Sequence, residues 1–219
     1  MLRGLQALEA WILAGLLGIS GLMSADRASR VGNRLLRLVG PRLEKTRHIR
    51  GNLSVAFPDR SRGEIDELVR GVWGNIGSVL AEYAHLETIC RGEPDRLELI
   101  TEGSWHRSGG PNRPAVFVGA HLGNWEIVAC AIIRLGYPLM AVYTPVQNPW
   151  LDRRLRRARE EGLGCTLAER EGAVRQLMRQ LNRGGSVGLL TDQRVDAGEA
   201  VPLFGHDMQT STTPARLAL

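Results

Sequence analysis

Ala115-Val116-Phe117-Val118-Gly119-Ala120-His121-Leu122-Gly123-Asn124-Trp125-Glu126 is the stretch on which the reading of this chain turns. An apolar run of strand length empties into a histidine, and a glycine turn follows. A carboxylate then lands in the first turn of a helix whose apolar spacing runs from Ile127 to Leu135. A side chain at the carboxyl end of a buried strand points into the crevice where α/β proteins hold ligands. Asn124 suits the N-cap, and Glu126 falls where the helix dipole favours an anion. His121 and Glu126 are five residues apart, about 140° around an ideal helix, so within one helix they would diverge. With His121 ahead of the helix start, they can meet. A neutral imidazole can take a proton from an alcohol, and a carboxylate on its other nitrogen fixes the tautomer and stabilises the imidazolium. No serine or cysteine nucleophile is adjacent, so direct attack by a substrate hydroxyl is the simpler chemistry. The plainer alternative is a histidine that ends a strand, followed by a favourable first-turn charge.

Downstream, Leu139 to Tyr143 reads as a strand and Asn148-Pro149 as a helix start, cap then N1 proline. That helix buries Leu151, Leu155 and Ala158, displays Arg153, Arg154, Arg156, Arg157 and Arg159, and closes at Gly162. Its arginines fit either a solvated face or the border of a site. Leu163 to Leu167 reads as a strand, Val174 to Leu181 as a helix stopped by Gly184-Gly185, and Val187 to Thr191 as a strand ending in Asp192-Gln193. Such alternation argues for βαβ units around a mostly parallel sheet. Thr213-Pro214 opens one more helix just before Leu219.

Upstream, Ala10 to Met23 carries no charge. It is shorter than the roughly 20 residues that span a bilayer, so it either spans with tilt, lies in the interface or docks as a core helix. A secretory signal is a poor fit, since cleavage after Ala25 would put Met23 at the −3 position. Arg27, Arg30, Arg34 and Arg37 follow, suited to anionic headgroups. Gly40-Pro41 ends this basic helix, and a second runs through His48 to Leu53 and stops at Phe57-Pro58. Ser61 with Glu64 forms a capping box for a long packing helix reaching about His85, with Trp73 and Tyr83 in its core. After a polar break at 92–95, Leu97 to Ile100 reads as a strand, followed by a loop at 108–112. The organisation expected is a membrane anchor or interfacial helix over 1–25, a helical segment over 26–92 and an α/β catalytic core over 93–219.

The chain has 219 residues, 43% of them hydrophobic, and a net charge of +5. This is enough for one α/β domain and a small appendage. Lys45 is the only lysine among 28 basic residues, and such an arginine excess suits phosphate and carboxylate recognition. With only 5% aromatics and no nucleic-acid motif, nucleic acid is not expected as a partner. Cys90, Cys130 and Cys165 lack CxxC spacing and read as reduced, mostly buried thiols. The histidines are scattered, His48, His85 and His106 reading as incidental, so neither a metal nor a cofactor is implied.

The segment His121-Leu122-Gly123-Asn124-Trp125-Glu126 resembles the HGNWE-type signature of the bacterial lipid A late acyltransferases, the lauroyl/myristoyl family of lipopolysaccharide biosynthesis. Asn52-Leu53 with Phe57-Pro58, Asp192-Gln193, Leu203-Phe204-Gly205 and Thr212 to Ala218 resemble further segments of that family in the same order. The resemblance covers nearly the whole chain. It implies a glycerolipid-acyltransferase-like fold, a membrane anchor and a catalytic body on the cytoplasmic face of the bacterial inner membrane. The implied reaction moves an acyl chain from acyl carrier protein to a hydroxyl of a lipid A precursor, with His121 and Glu126 catalytic. Arg159, placed a few residues before Gly162, matches a family site arginine. Arg156 and Arg153 are next in line for substrate binding, with Asn124, Asp192 and Gln193. Asp192 would order an arginine or the site loop, or merely form a strand-end turn. Where many members read Tyr-Arg-Pro, this chain has Tyr143-Thr144-Pro145. Members continue past the equivalent of Leu219, so a C-terminally truncated chain is expected. Acylation of another glycolipid, such as a phosphatidylinositol mannoside, and a noncatalytic membrane-associated fragment are the competing readings.

Overall fold

The computed structural model describes residues 2–91, 96–100, 102 and 110–219. It separates into two compact units, Trp11–His85 and Leu86–Leu219, the latter together with Met1–Ala10.

The smaller unit is helical. It contains most of α1 (Leu2–Gly21), then α2 (Ala25–Val39), α3 (Thr46–Ala56) and α4 (Arg62–Glu82). The expected capping box starts α4: Ser61 Oγ accepts from the Glu64 backbone N–H, and the Glu64 carboxylate accepts from the Ser61 N–H at 2.9 Å. The Arg60 guanidinium and both Ser61 donors hold the Glu64 carboxyl at a pKa of about 2. Ile65, Val69 and Trp73 line the buried face of α4 against Leu36, Ile49 and Leu53, each fully buried apolar side chain contributing about 2 kcal/mol. The Trp73 indole donates to Thr46 Oγ1 at 2.8 Å, and that hydroxyl donates to the Gly40 carbonyl at 2.8 Å. His85, expected to be incidental, is buried, with Nε2 3.0 Å from the Ser20 carbonyl oxygen. His106 lies outside the described residues.

The charge-free stretch from Ala10 to Met23 forms the greater part of α1, but among the described residues no helix is long and apolar enough to cross a membrane. The helix carries Arg3 and Glu9 as well, so its apolar run falls short of a span.

In the larger unit, four strands form one parallel sheet: β1 (Val116–Gly119), β2 (Leu139–Tyr143), β3 (Thr166–Glu169) and β4 (Ser186–Leu190), in the order β1-β4-β2-β3. Strand β1, read from sequence as buried and central, lies at the sheet edge, and Val118 is 57% exposed. The interior neighbour of β1 is β4, in register Val116 with Val187 through Gly119 with Leu190. Val187 and Ala168 on one face of the sheet are buried under Leu177 of α8 (Ala173–Asn182) and Leu217 of α9 (Thr213–Ala218). Helix α6 (Ile127–Arg134) packs on β2, and α7 (Pro149–Leu163) on β3. Asn148 caps α7, its side-chain oxygen accepting from the N–H groups of Trp150 and Leu151. The helix ends one turn position later than the sequence suggests, because Gly164, at φ +77°, supplies the left-handed C-cap and Gly162 is still helical.

Two further expectations are corrected, and one element was not anticipated. Leu97 to Ile100 is not a strand. Packing of α5 (Leu86–Arg91) on α6 brings Cys90 and Cys130 together as a disulfide, with Cα atoms 5.9 Å apart, which linear spacing does not reveal. Cys165 alone is free among the described residues, and burial pushes its pKa up to about 11. An unforeseen antiparallel hairpin, β5 (Glu199–Leu203) with β6 (His206–Thr210), follows the sheet. Its two-residue turn is Phe204-Gly205, both at positive φ.

Helices α2 and α4 pack with their backbones in close approach at Gly32 and Gly77. A Cβ on Gly32 would lie 2.2 Å from the Gly77 carbonyl oxygen, and one on Gly77 would lie 2.1 Å from the Gly32 carbonyl oxygen. Gly32→Ala and Gly77→Ala are each expected to destabilise the protein by about 1–3 kcal/mol, read as a lower midpoint of denaturant unfolding. Gly51→Ala, where the added methyl meets open space, is the control and leaves the midpoint unchanged or higher.

Candidate active site

The site lies at the carboxyl ends of β1 and β4. Beyond the last paired residues, the Thr191 N–H still donates to the Gly119 carbonyl at 3.1 Å. This continued pairing carries His121 and Asp192 out of the sheet side by side. A tight turn follows, closed by the Leu122 N–H on the Ala120 carbonyl at 2.8 Å, and Gly123 at φ +53° turns the chain toward α6.

Asp192 holds His121 twice. Oδ2 accepts from the His121 backbone N–H at 2.9 Å, and Oδ1 accepts from Nδ1–H of the imidazole at 2.7 Å. Burial pushes the Asp192 carboxyl up, but the hydrogen bonds from the His121 ring and backbone, with the charge of that ring, outweigh it. The pKa falls below the ordinary aspartate value. With Nδ1 protonated, Nε2 presents its lone pair, and the Gln193 amide N–H donates to it at 3.3 Å. The imidazole is 29% exposed and Asp192 36%, so the ring is open to solvent on one side.

Glu126 is deployed differently from the sequence reading, which gave it to His121. It directly precedes α6 and is 6% exposed. Its carboxylate is gripped by Arg159 of α7, through Nε to Oε2 at 2.8 Å and Nη2 to Oε1 at 2.7 Å. Trp125 donates its indole N–H to Oε1 at 3.1 Å. A planar guanidinium forked onto a carboxylate satisfies the geometry that a buried acid requires. Asn124 does not start the helix. Its side-chain oxygen accepts from the Glu126 backbone N–H at 3.1 Å, setting the turn that aims this carboxylate at α7.

The structure therefore brings His121, Asp192 and Gln193 into one cluster, and Glu126, Asn124 and Arg159 into a second. Trp125 joins the two, its ring centroid 5.3 Å from that of His121. Arg156 and Arg153 belong to neither cluster by any observed bond. Arg156 pairs with Glu160 at 3.0 Å and lies over the Tyr143 ring, while Arg153 lies over the exposed Trp150. The sequence singled out neither Trp125 nor Asp192 as the partner of the histidine. The one available signal for Asp192 was its place at the end of a second strand of the same sheet. Among the described residues no group of three His, Cys, Asp or Glu side chains is placed to hold a metal.

Two outcomes follow from these pairs. Arg159→Met strands a buried carboxylate and is expected to cost about 3 kcal/mol of folding stability; adding Glu126→Gln recovers part of that loss, as read by denaturant unfolding of the single and double variants. Because the folded Asp192 carboxyl titrates below its unfolded value of about 3.9, its contribution to stability is complete above about pH 4. That contribution is lost as the pH falls through the lower, folded-state value. Acid unfolding of Asp192→Asn should accordingly show a weaker dependence on pH below 4 than the parent protein.

A strand-end histidine fixed in one tautomer, its second nitrogen accepting from the exposed Gln193 amide, has a lone pair able to take a proton. No curated protein matches the chain. The sequence model of the bacterial lipid A biosynthesis acyltransferases matches residues 1–219, and the chain belongs to that family.

Proposed function

We propose that the protein transfers a fatty acyl chain from the thioester of acyl carrier protein to a hydroxyl of a lipid A precursor, with His121 as general base and Asp192 as its partner. The observation carrying this reading is the 2.7 Å contact from Nδ1 of His121 to Asp192, which leaves Nε2 as the proton acceptor. Gln193 occupies the position that the acceptor alcohol would take, and its amide gives way as the alcohol binds. The alcohol oxygen attacks the thioester carbonyl carbon while Nε2 takes its proton. Collapse of the tetrahedral adduct breaks the C–S bond, and the imidazolium returns the proton to the departing thiolate. The products are an ester and the free carrier thiol, and Asp192 stabilises the transient imidazolium.

Arg159, already paired with Glu126, would face an acceptor phosphate or the thioester oxygen with the remaining edge of its guanidinium. Arg153 and Arg156 on α7 extend this basic character along the surface, suiting an acidic carrier protein or lipid phosphates. We place the protein at the cytoplasmic face of the inner membrane. Trp11, Ile12, Leu16, Ile19 and Leu22 of the α1 region, with Val31, Leu35 and Leu38 of α2, are exposed. Arg27, Arg30 and Arg34 on α2 complement that apolar surface in the manner of an interfacial helix pair.

Purified protein, acyl-carrier thioester and lipid A precursor, assayed for ester product, test the assignment. His121→Ala should abolish transfer, and Asp192→Asn should lower kcat on the order of a thousandfold by releasing the tautomer. Near-normal turnover by either variant would refute the mechanism. Transfer to a phosphatidylinositol mannoside in preference to the lipid A precursor would move the assignment to another glycolipid.

A further inference from the structure

From the geometry around the motif we infer that Trp125 is a positioning residue for the base, and that it carries the influence of Glu126 to His121; this rests on the assignment of His121 as that base. Three contacts form an unbroken chain. Arg159 forks onto Glu126, Glu126 accepts the Trp125 indole N–H at 3.1 Å, and the indole packs at an interplanar angle of 61° against the imidazole. The carboxylate at the head of this chain is 6% exposed and held by a bidentate guanidinium, so it is a rigid anchor rather than a mobile surface acid.

The imidazole needs such a wall. Its hydrogen bonds to Asp192 and Gln193 come from two adjacent residues just beyond the end of β4, and rotation about the Cβ–Cγ bond would swing both ring nitrogens away from them. An indole set edgewise to the ring resists that rotation, at a cost to the aromatic pair of about 0.5–1.5 kcal/mol if it is lost. A base misaimed by about an ångström loses much of its rate. The acid of the motif therefore acts on the histidine at one remove, through an intervening aromatic side chain, while Asp192 makes the direct bond.

Trp125→Leu removes the ring and keeps an apolar, half-buried side chain. It should lower kcat by about tenfold or more with KM changed less than about threefold, since neither substrate loses a binding group. Trp125→Phe, which keeps a ring face but lacks the N–H anchored by Glu126, should recover only part of that loss. A proton NMR signal from Nδ1–H of His121, protected by Asp192, should be sharp in the parent and in Trp125→Phe and broadened by solvent exchange in Trp125→Leu. A leucine variant with kcat within twofold of the parent and a sharp signal, or a phenylalanine variant either as impaired as the leucine one or as active as the parent, overturns the inference. If the parent transfers no acyl chain at all, the enzymatic reading fails by itself, and the NMR comparison still decides whether Trp125 orders the ring. Should Trp125→Leu not fold, Trp125→Met, similar in volume and without a ring, carries the same expectation.

Discussion

Asp192 receives two donors from a single residue, the backbone N–H and the Nδ1–H of His121, and so fixes both the chain direction and the imidazole ring. This double hold exists only because β1 and β4 are neighbours in the sheet, 71 residues apart in sequence and paired in parallel through Gly119 and Leu190. The crossover that places β4 between β1 and β2 is what assembles the site. The apolar covering of α8 and α9 over Val187 and Ala168 matters to chemistry for that reason. Anything that shifts β4 by one residue turns Asp192 to the other side of the sheet.

The site divides labour between its two acids by environment. Asp192 is partly exposed and bound to a titratable imidazole; Glu126 is buried and bound to a group that is always charged. A carboxylate already committed to a guanidinium from both oxygens is poorly suited to respond to a titrating ring. One bound in part through its neighbour's changing charge is well suited. Trp125 links the buried pair to His121, its indole N–H bonded to Glu126 and its ring packed against the imidazole.

Local signals in the sequence were read correctly where the physics is local. Asn148-Pro149 caps α7, Ser61 and Glu64 close their box, and the apolar run Leu139–Tyr143 is a strand with those bounds. The parallel sheet was legible for the same reason, since strand and helix periods alternate along the chain. What escaped was set by pairing across distance. Glu126 is near His121 in sequence, but Asp192, 71 residues away, is its partner in space. The edge position of β1 and the union of Cys90 with Cys130 likewise depend on which elements neighbour one another. The β5–β6 hairpin was hidden by Phe204, a bulky residue at φ +50° where such a turn ordinarily takes Asn, Asp or Gly.

The meeting of Gly32 and Gly77 has a consequence for how the helical unit can vary. Each backbone oxygen sits where the other residue's side chain would begin, so neither position holds an atom that could be trimmed to make room for growth at the other. A methyl gained on one side has no compensating deletion on the other, and only a wider separation of the two axes, felt along every neighbouring turn, would relieve it. The pair is thus locked as a unit, with second-site rescue excluded at the point of contact itself.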